Sequence, residues 1–288
     1  MKIATVTREN HFDVKDISEL LVKELYSYNE ILTDFKSMNE PYQLICRSYS
    51  HFLENIKQSN YKKPMQVKHD IINTLNSFLS SSQKYLDKVK RILIKTFPNE
   101  IPTPSHIIKR TKNKNIKEGE KIYLEITMKI YDSSFEYRLT YNMRNYCQHT
   151  GHQAFTILKN KNGINILLSK NEYLNDHLGI QNPLKKELVK MNIDDLDILN
   201  IFSKYMSDIK GMNNEFLNIM IKEKIADAIV AGYQILHKFP ERKVYEEWVF
   251  IKDSSFDGEN FNGDIISFNY VLANDLAKDN LRSFHSLV

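Results

Sequence analysis

Tyr137-Arg138-Leu139-Thr140-Tyr141-Asn142-Met143-Arg144-Asn145-Tyr146-Cys147-Gln148-His149-Thr150-Gly151 is the stretch on which the reading of this chain turns. A helix-start signature precedes it: Asp132-Ser133-Ser134 followed by Glu136, with either residue 132 or 133 serving as cap for the free amides of the first turn. The helix opened there is expected to run to about His149, where Gly151 supplies a left-handed stop. An Arg-Asn pair, an aromatic residue and Gln-His all fall at the end of that helix.

Towards the N-terminus, apolar residues at Ile17, Leu20, Leu21, Leu25, Tyr28, Ile31, Leu32 and Phe35 form a helical stripe. Asp16 and Glu19 resemble a capping box for it, and Pro41 sits where a second helix can start. A third stretch runs from Val67 to Leu93 and is closed by Pro98, Pro102 and Pro104. The first hundred residues thus read as an antiparallel helical layer. Residues 105–120 turn polar and basic, with Lys109, Arg110, Lys112, Lys114 and Lys117, as either a solvated loop or a phosphate-contacting one. Ile122, Leu124, Ile126, Met128 and Ile130 alternate like a strand, yet Ile122, Ile126 and Ile130 also fit a helix.

Towards the C-terminus, Phe155 to Leu158 and Ile164 to Leu168 flank Asn162-Gly163, a pair suited to a tight hairpin turn. Ile193 to about Phe239 reads as helical, with Gly211 separating two helices and Pro240 ending the run. Val244 to Ile251 reads as a short strand around Trp248, and a last helix is expected near Ala273 to Ser283. The expected fold is mainly α. Its organisation is an N-terminal helical region over residues 1–104, a core over 105–250 holding the motif helix and a small β-hairpin, and a C-terminal extension over 251–288.

Composition agrees with a helical protein. In 288 residues there are only 8 Gly and 7 Pro, too few for a collagen-like, linker-like or turn-rich all-β chain. Lys+Arg 40 against Asp+Glu 36 leaves a net charge of +4, which neither demands nor excludes a nucleic-acid partner. Cys46 and Cys147 are too few for a disulfide framework or a cysteine-based zinc site. The start has no apolar signal region, and the longest mostly apolar run, Ile225 to Leu236, is far short of a membrane helix. The expectation is a cytoplasmic protein with no membrane partner. His149 and His152 stand three apart without a third and fourth ligand nearby, and Asp194, Asp195 and Asp197 read as favouring a helix N-terminus. No metal or other cofactor is expected.

The segment ending in Arg144-Asn145-Tyr146-Cys147-Gln148-His149 resembles the signature of HEPN domains. The ribonucleases of that helical family carry Arg, four to six residues, then His, often with Asn or another polar residue after the Arg. Arg144 matches the arginine, Asn145 the polar position and His149 the histidine, over about fifteen residues. The resemblance implies a HEPN-like helical bundle with the hairpin as an insertion and the N-terminal helices as an additional layer. It further implies metal-independent endoribonuclease activity and a homodimer with a composite site. Such enzymes resemble toxins or antiviral effectors, which adds an antitoxin or defence-system protein to RNA as an expected partner.

The residue types suit that chemistry on their own terms. Cleaving RNA without a metal needs a base for the 2′-hydroxyl, an acid for the leaving 5′-oxygen and cations for the phosphorane. Imidazole titrates near neutrality and serves as either acid or base. A guanidinium stays charged and grips two phosphate oxygens. Asn145 precedes His149 by four and shares its helix face, placed to orient the ring or hold phosphate. Arg144 lies five positions back, about 140° around the axis, so two helices paired across a two-fold axis would complete the site better than one. Arg138, Asn142, Asn145 and His149 fall at spacings of four, three and four. That face either binds an RNA backbone, with Tyr141 stacking a base and Gln148 assisting, or is a solvent face or polar dimer contact. The competing assignment is a non-catalytic helical module that binds RNA or protein, with Arg144 capping a helix end and His149 bonding a carbonyl.

Overall fold

The computed structural model describes residues 2–6, 12–16, 18–59, 64–149, 152–160, 163–176, 179–228, 247–256 and 261–268. It is mainly helical. The elements in chain order are β1 (Lys2–Val6), β2 (Phe12–Asp16), α1 (Glu19–Gln58), α2 (Pro64–Thr96), β3 (Glu100–Pro102), α3 (Ser105–Thr111), β4 (Asn115–Lys117), α4 (Glu118–Ser133) and α5 (Phe135–His149). There follow β5 (Phe155–Asn160), β6 (Gly163–Ser169), α6 (Lys170–Asp176), α7 (Asn182–Lys190), β7 (Asp195–Asp197), α8 (Ile198–Met220), a π-helical turn at Ile221–Ile225, β8 (Glu247–Phe256) and β9 (Phe261–Phe268). No helix among the described residues is long and apolar enough to cross a membrane.

The chain divides into two compact units, Ser37–Leu217 and the pair of terminal segments Met1–Lys36 with Asn218–Val288. The expected boundaries at 104 and 250 are not where it divides. Residue 104 lies between β3 and β4, which pair antiparallel, and α2 packs on α4 across the same point. Residue 250 lies inside β8. The terminal unit contains a four-stranded antiparallel sheet ordered β2-β1-β8-β9, in which Lys2 faces Ile251 and Val6 faces Glu247. The strand expected around Trp248 is therefore present and longer. Asp16 belongs to β2 rather than to a capping box. The expected helix near 273–283, the end of the 193–239 run and the stop at Gly151 lie outside the described residues.

In the unit Ser37–Leu217 the core forms around α2. Val67, Ile71, Leu75, Phe78, Leu79, Leu86, Val89 and Leu93 recur at three and four and are all buried, which is why this segment is one uninterrupted helix until Pro98. Phe78 sits among rings, 4.9 Å from Phe202, 5.3 Å from Tyr49 and 6.1 Å from Tyr205. Two polar ties cross this core, Ser82 with the Tyr205 hydroxyl and the Tyr85 hydroxyl donating to Asn213 Oδ1 at 3.2 Å.

Proline and glycine mark less than expected. Helix α1 runs through Pro41, because burial of Met38 and Ile45 on either side outweighs the one lost N–H. Helix α8 runs through Gly211, whose cost of about 1 kcal/mol is small beside the burial of Phe202, Tyr205, Ile209, Met212 and Phe216. The basic segment after Pro104 is not a loop: Ile107 and Ile116 are buried and anchor α3 and β4. Residues 120–131 are helical. The close contact that fixes α4 is at Gly119, where a Cβ would stand 2.0 Å from the Leu93 carbonyl oxygen of α2. The hairpin of β5 and β6 pairs Asn160 with Gly163, whose φ of 128° suits the end of a tight connection, and β7 extends it to three strands. Asp197 Oδ1 accepts the Leu199 and Asn200 amides at 2.9 and 3.3 Å, capping α8 as its place before that helix implied.

Candidate functional site

Helix α5 is capped by Ser134, one or two residues later than the expected cap: Ser134 Oγ accepts the Tyr137 amide at 3.0 Å and donates to Asp208 Oδ2 at 2.5 Å. Burial raises the Asp208 pKa above the ordinary carboxylate value, with the Ser134 hydroxyl opposing it. From Tyr137 to Thr140 every side chain is buried, and Asn142, Met143, Tyr146 and Cys147 follow. The helix is thus an interior strut for most of its length. Past Tyr141, it is the last turn that emerges, carrying Gln148 and His149 into solvent. The segment beyond is tied back, because the Ala154 amide donates to the Tyr146 hydroxyl at 3.0 Å.

Arg144 and Asn145 are half-buried where the strut begins to emerge. The Arg144 side chain has no hydrogen-bond or ion-pair partner among the described residues, and its buried Nε, like that of Arg138, lacks an acceptor. A guanidinium so placed can offer its donors to an incoming anion. His152, three residues beyond His149, is held by Asn76, whose Oδ1 lies 2.9 Å from Nε2, and burial lowers its pKa. Cys147 is a buried thiol pushed up to about 12 by desolvation, hence a poor nucleophile and ligand near neutrality.

Arg138 and Asn142 do not join an exposed RNA-binding face. Arg138 is 8% exposed, and its Nη2 lies 2.6 Å from Glu187 Oε2 while Nη1 donates to the Tyr131 and Asp132 carbonyls at 2.5 and 3.1 Å. Asn142 is 1% exposed and donates its amide to the Arg138 carbonyl at 2.8 Å. The stripe they share with His149 faces the interior until the helix ends. Tyr141, by contrast, is exposed.

One arrangement was not foreseen. Tyr123, Thr127, Met128 and Tyr131 of α4 and Tyr137 and Tyr141 of α5 line a cavity of about 320 Å³, to which Leu86, Arg110 and Gln181 also contribute. The signal was present in the sequence as an i, i+4, i+8 run of Tyr123, Thr127 and Tyr131, but alternation of the intervening aliphatics concealed it. Of the basic residues after Pro104, Arg110 is spent on Asp132, with Nη2 at 2.7 and 2.9 Å from its two oxygens, and Lys117 pairs with Glu100 at 3.1 Å. Among the described residues no group of three or more His, Cys, Asp or Glu side chains is placed to hold a metal ion.

No protein-family model, curated protein or solved structure matches the chain.

Proposed function

We propose that this chain is a metal-independent endoribonuclease of the HEPN type, working in the cytoplasm as a homodimer. A toxin or antiviral effector, restrained or triggered by a partner protein, is the role that suits such an activity. The observation that carries the reading is the pairing of an exposed His149 on the last turn of α5 with an Arg144 whose guanidinium has no protein partner among the described residues.

In the proposed reaction, one His149 imidazole takes the proton of a ribose 2′-hydroxyl as its oxygen attacks the adjacent phosphorus. The His149 of the second protomer gives a proton to the departing 5′-oxygen. The products are a 2′,3′-cyclic phosphate and a 5′-hydroxyl. Arg144 stabilises the charge gathering on the non-bridging oxygens, and Asn145, one turn before His149, orients the ring or holds the phosphate. Arg144 and His149 are both needed, since a base without a cation leaves the phosphorane charge uncompensated.

The test is incubation with RNA in excess chelator. Wild type is expected to produce fragments ending in cyclic phosphate, and Arg144→Ala and His149→Ala to lose about 10²–10⁴-fold in rate. Cleavage that persists in both variants overturns the assignment. RNA binding without cleavage by wild type points instead to a non-catalytic RNA-binding module.

A further inference from the structure

We infer that the tyrosine-lined cavity between α4 and α5 is a nucleobase subsite, taking a single unstacked base beside the phosphate held by Arg144. This rests on the reading of the chain as an RNA-cleaving enzyme, and it adds where the neighbouring base is held.

Four features carry it. First, the walls are rings. Tyr123 and Tyr131 come from one helix and Tyr137 and Tyr141 from the other, and flat π-faces are the usual platform for bases splayed out of a single strand. Second, the rings are already seated. Tyr123 stacks on Phe216 at 6.1 Å with 5° between planes, and Tyr137 stacks on Tyr205 at 5.7 Å while meeting Tyr131 edge-on at 6.5 Å. A base entering therefore has little side-chain ordering left to do. Third, size and polarity suit a base. About 320 Å³ lies at the low end of small-molecule pockets, roughly 300–1,000 Å³, and the Gln181 carboxamide in its lining can both donate and accept. Tyr131 fixes that carboxamide by donating its hydroxyl to Gln181 Oε1, while the Arg110 guanidinium lies 6.0 Å from the Tyr131 ring centroid.

The fourth feature is register. Tyr137, Tyr141, Arg144 and Gln148 recur at four, three and four, forming one stripe of α5 distinct from the buried Arg138–Asn142 stripe. Three residues of helix rise about 4.5 Å, so the Cα atoms of Tyr141 and Arg144 follow one another closely along the same stripe. A base held against Tyr141 sets its own phosphate towards Arg144 and the next linkage towards His149. The cavity thus selects the nucleotide next to the cut.

The experiment titrates AMP, GMP, CMP and UMP, and separately an eight-nucleotide single-stranded RNA, into the full-length His149→Ala protein by calorimetry. The two arms separate a subsite for free nucleotides from one that serves a polynucleotide. Saturable binding in either arm is expected, weakened about tenfold or more by adding Tyr141→Ala or by filling the cavity with Met128→Trp. Tyr141→Phe, which keeps the ring, is expected to stay within about threefold. Absence of binding in both arms overturns the inference. So does binding indifferent to Tyr141→Ala and Met128→Trp, or binding lost as fully with Phe as with Ala. Cleavage assayed on the wild type answers the other question separately: a chain that cuts RNA without a base in this cavity loses the subsite and keeps the nuclease, and one that binds bases without cutting does the reverse.

Discussion

Arg138 and Arg144 lie six positions apart on one helix and use the same functional group in opposite ways. The guanidinium of Arg138 is enclosed, its two Nη atoms bonded to Glu187 and two carbonyl oxygens while its buried Nε has no acceptor, so it holds α5 to the end of α4 and to α7. Arg144 is half-buried and its side chain has no such partners among the described residues. Removing the carboxylate from the first arrangement strands a buried cation. Glu187→Ala is expected to cost about 2 kcal/mol in denaturant unfolding, moderated because Glu187 is itself partly exposed. It should leave the slope of RNA affinity against salt unchanged, since Arg138 releases no counterions. Arg144→Ala should do the converse: little loss of stability and a shallower salt slope. A Glu187 variant as stable as wild type would remove the structural role given to Arg138.

At the scale of elements, α4 is placed by an absence of side chain. Gly119 lets the first turn of α4 touch the α2 backbone, and Gly119→Ala would force a methyl group to within 2.0 Å of the Leu93 oxygen. The helices must then part. The expected loss is about 2–3 kcal/mol of stability, read by thermal or urea unfolding, and the cavity formed by α4 and α5 should open with it. A Gly119→Ala protein with unchanged unfolding would show that the two backbones are not held this close. What could be read in advance follows the same logic. The stripes of α2 and the capped helix ending at His149 were legible because one local period set them. The α4 tyrosines were not, since two periods overlapped in 120–131 and only packing against α2 chose between them. Pro41 and Gly211 misled for a related reason: their local cost is about 1–3 kcal/mol, and burial around them is worth more. The burial of Arg138 and Asn142 was hidden as well, because spacing fixes which residues share a stripe but not which stripe meets the interior.

For the whole molecule, the proposed chemistry makes one exposed His149 insufficient, since acid and base must act on opposite sides of a phosphorus. Activity should therefore follow association. On dilution, the rate per protomer is expected to fall as sedimentation shows dimers giving way to monomers, and a monomer cutting at constant specific rate would remove the two-protomer site.

The pairing of β1 with β8 has a consequence for how the chain is made. The unit Ser37–Leu217 is continuous, so all of it is translated before Glu247–Phe256. The strand Lys2–Val6 is made long before the β8 neighbour on which its sheet depends, with Phe12–Asp16 of the same sheet to pair with meanwhile. Ribosome-bound chains stalled before residue 247 would hold Lys2–Val6 without its β8 neighbour, a hydrogen-bonding edge open to any passing strand.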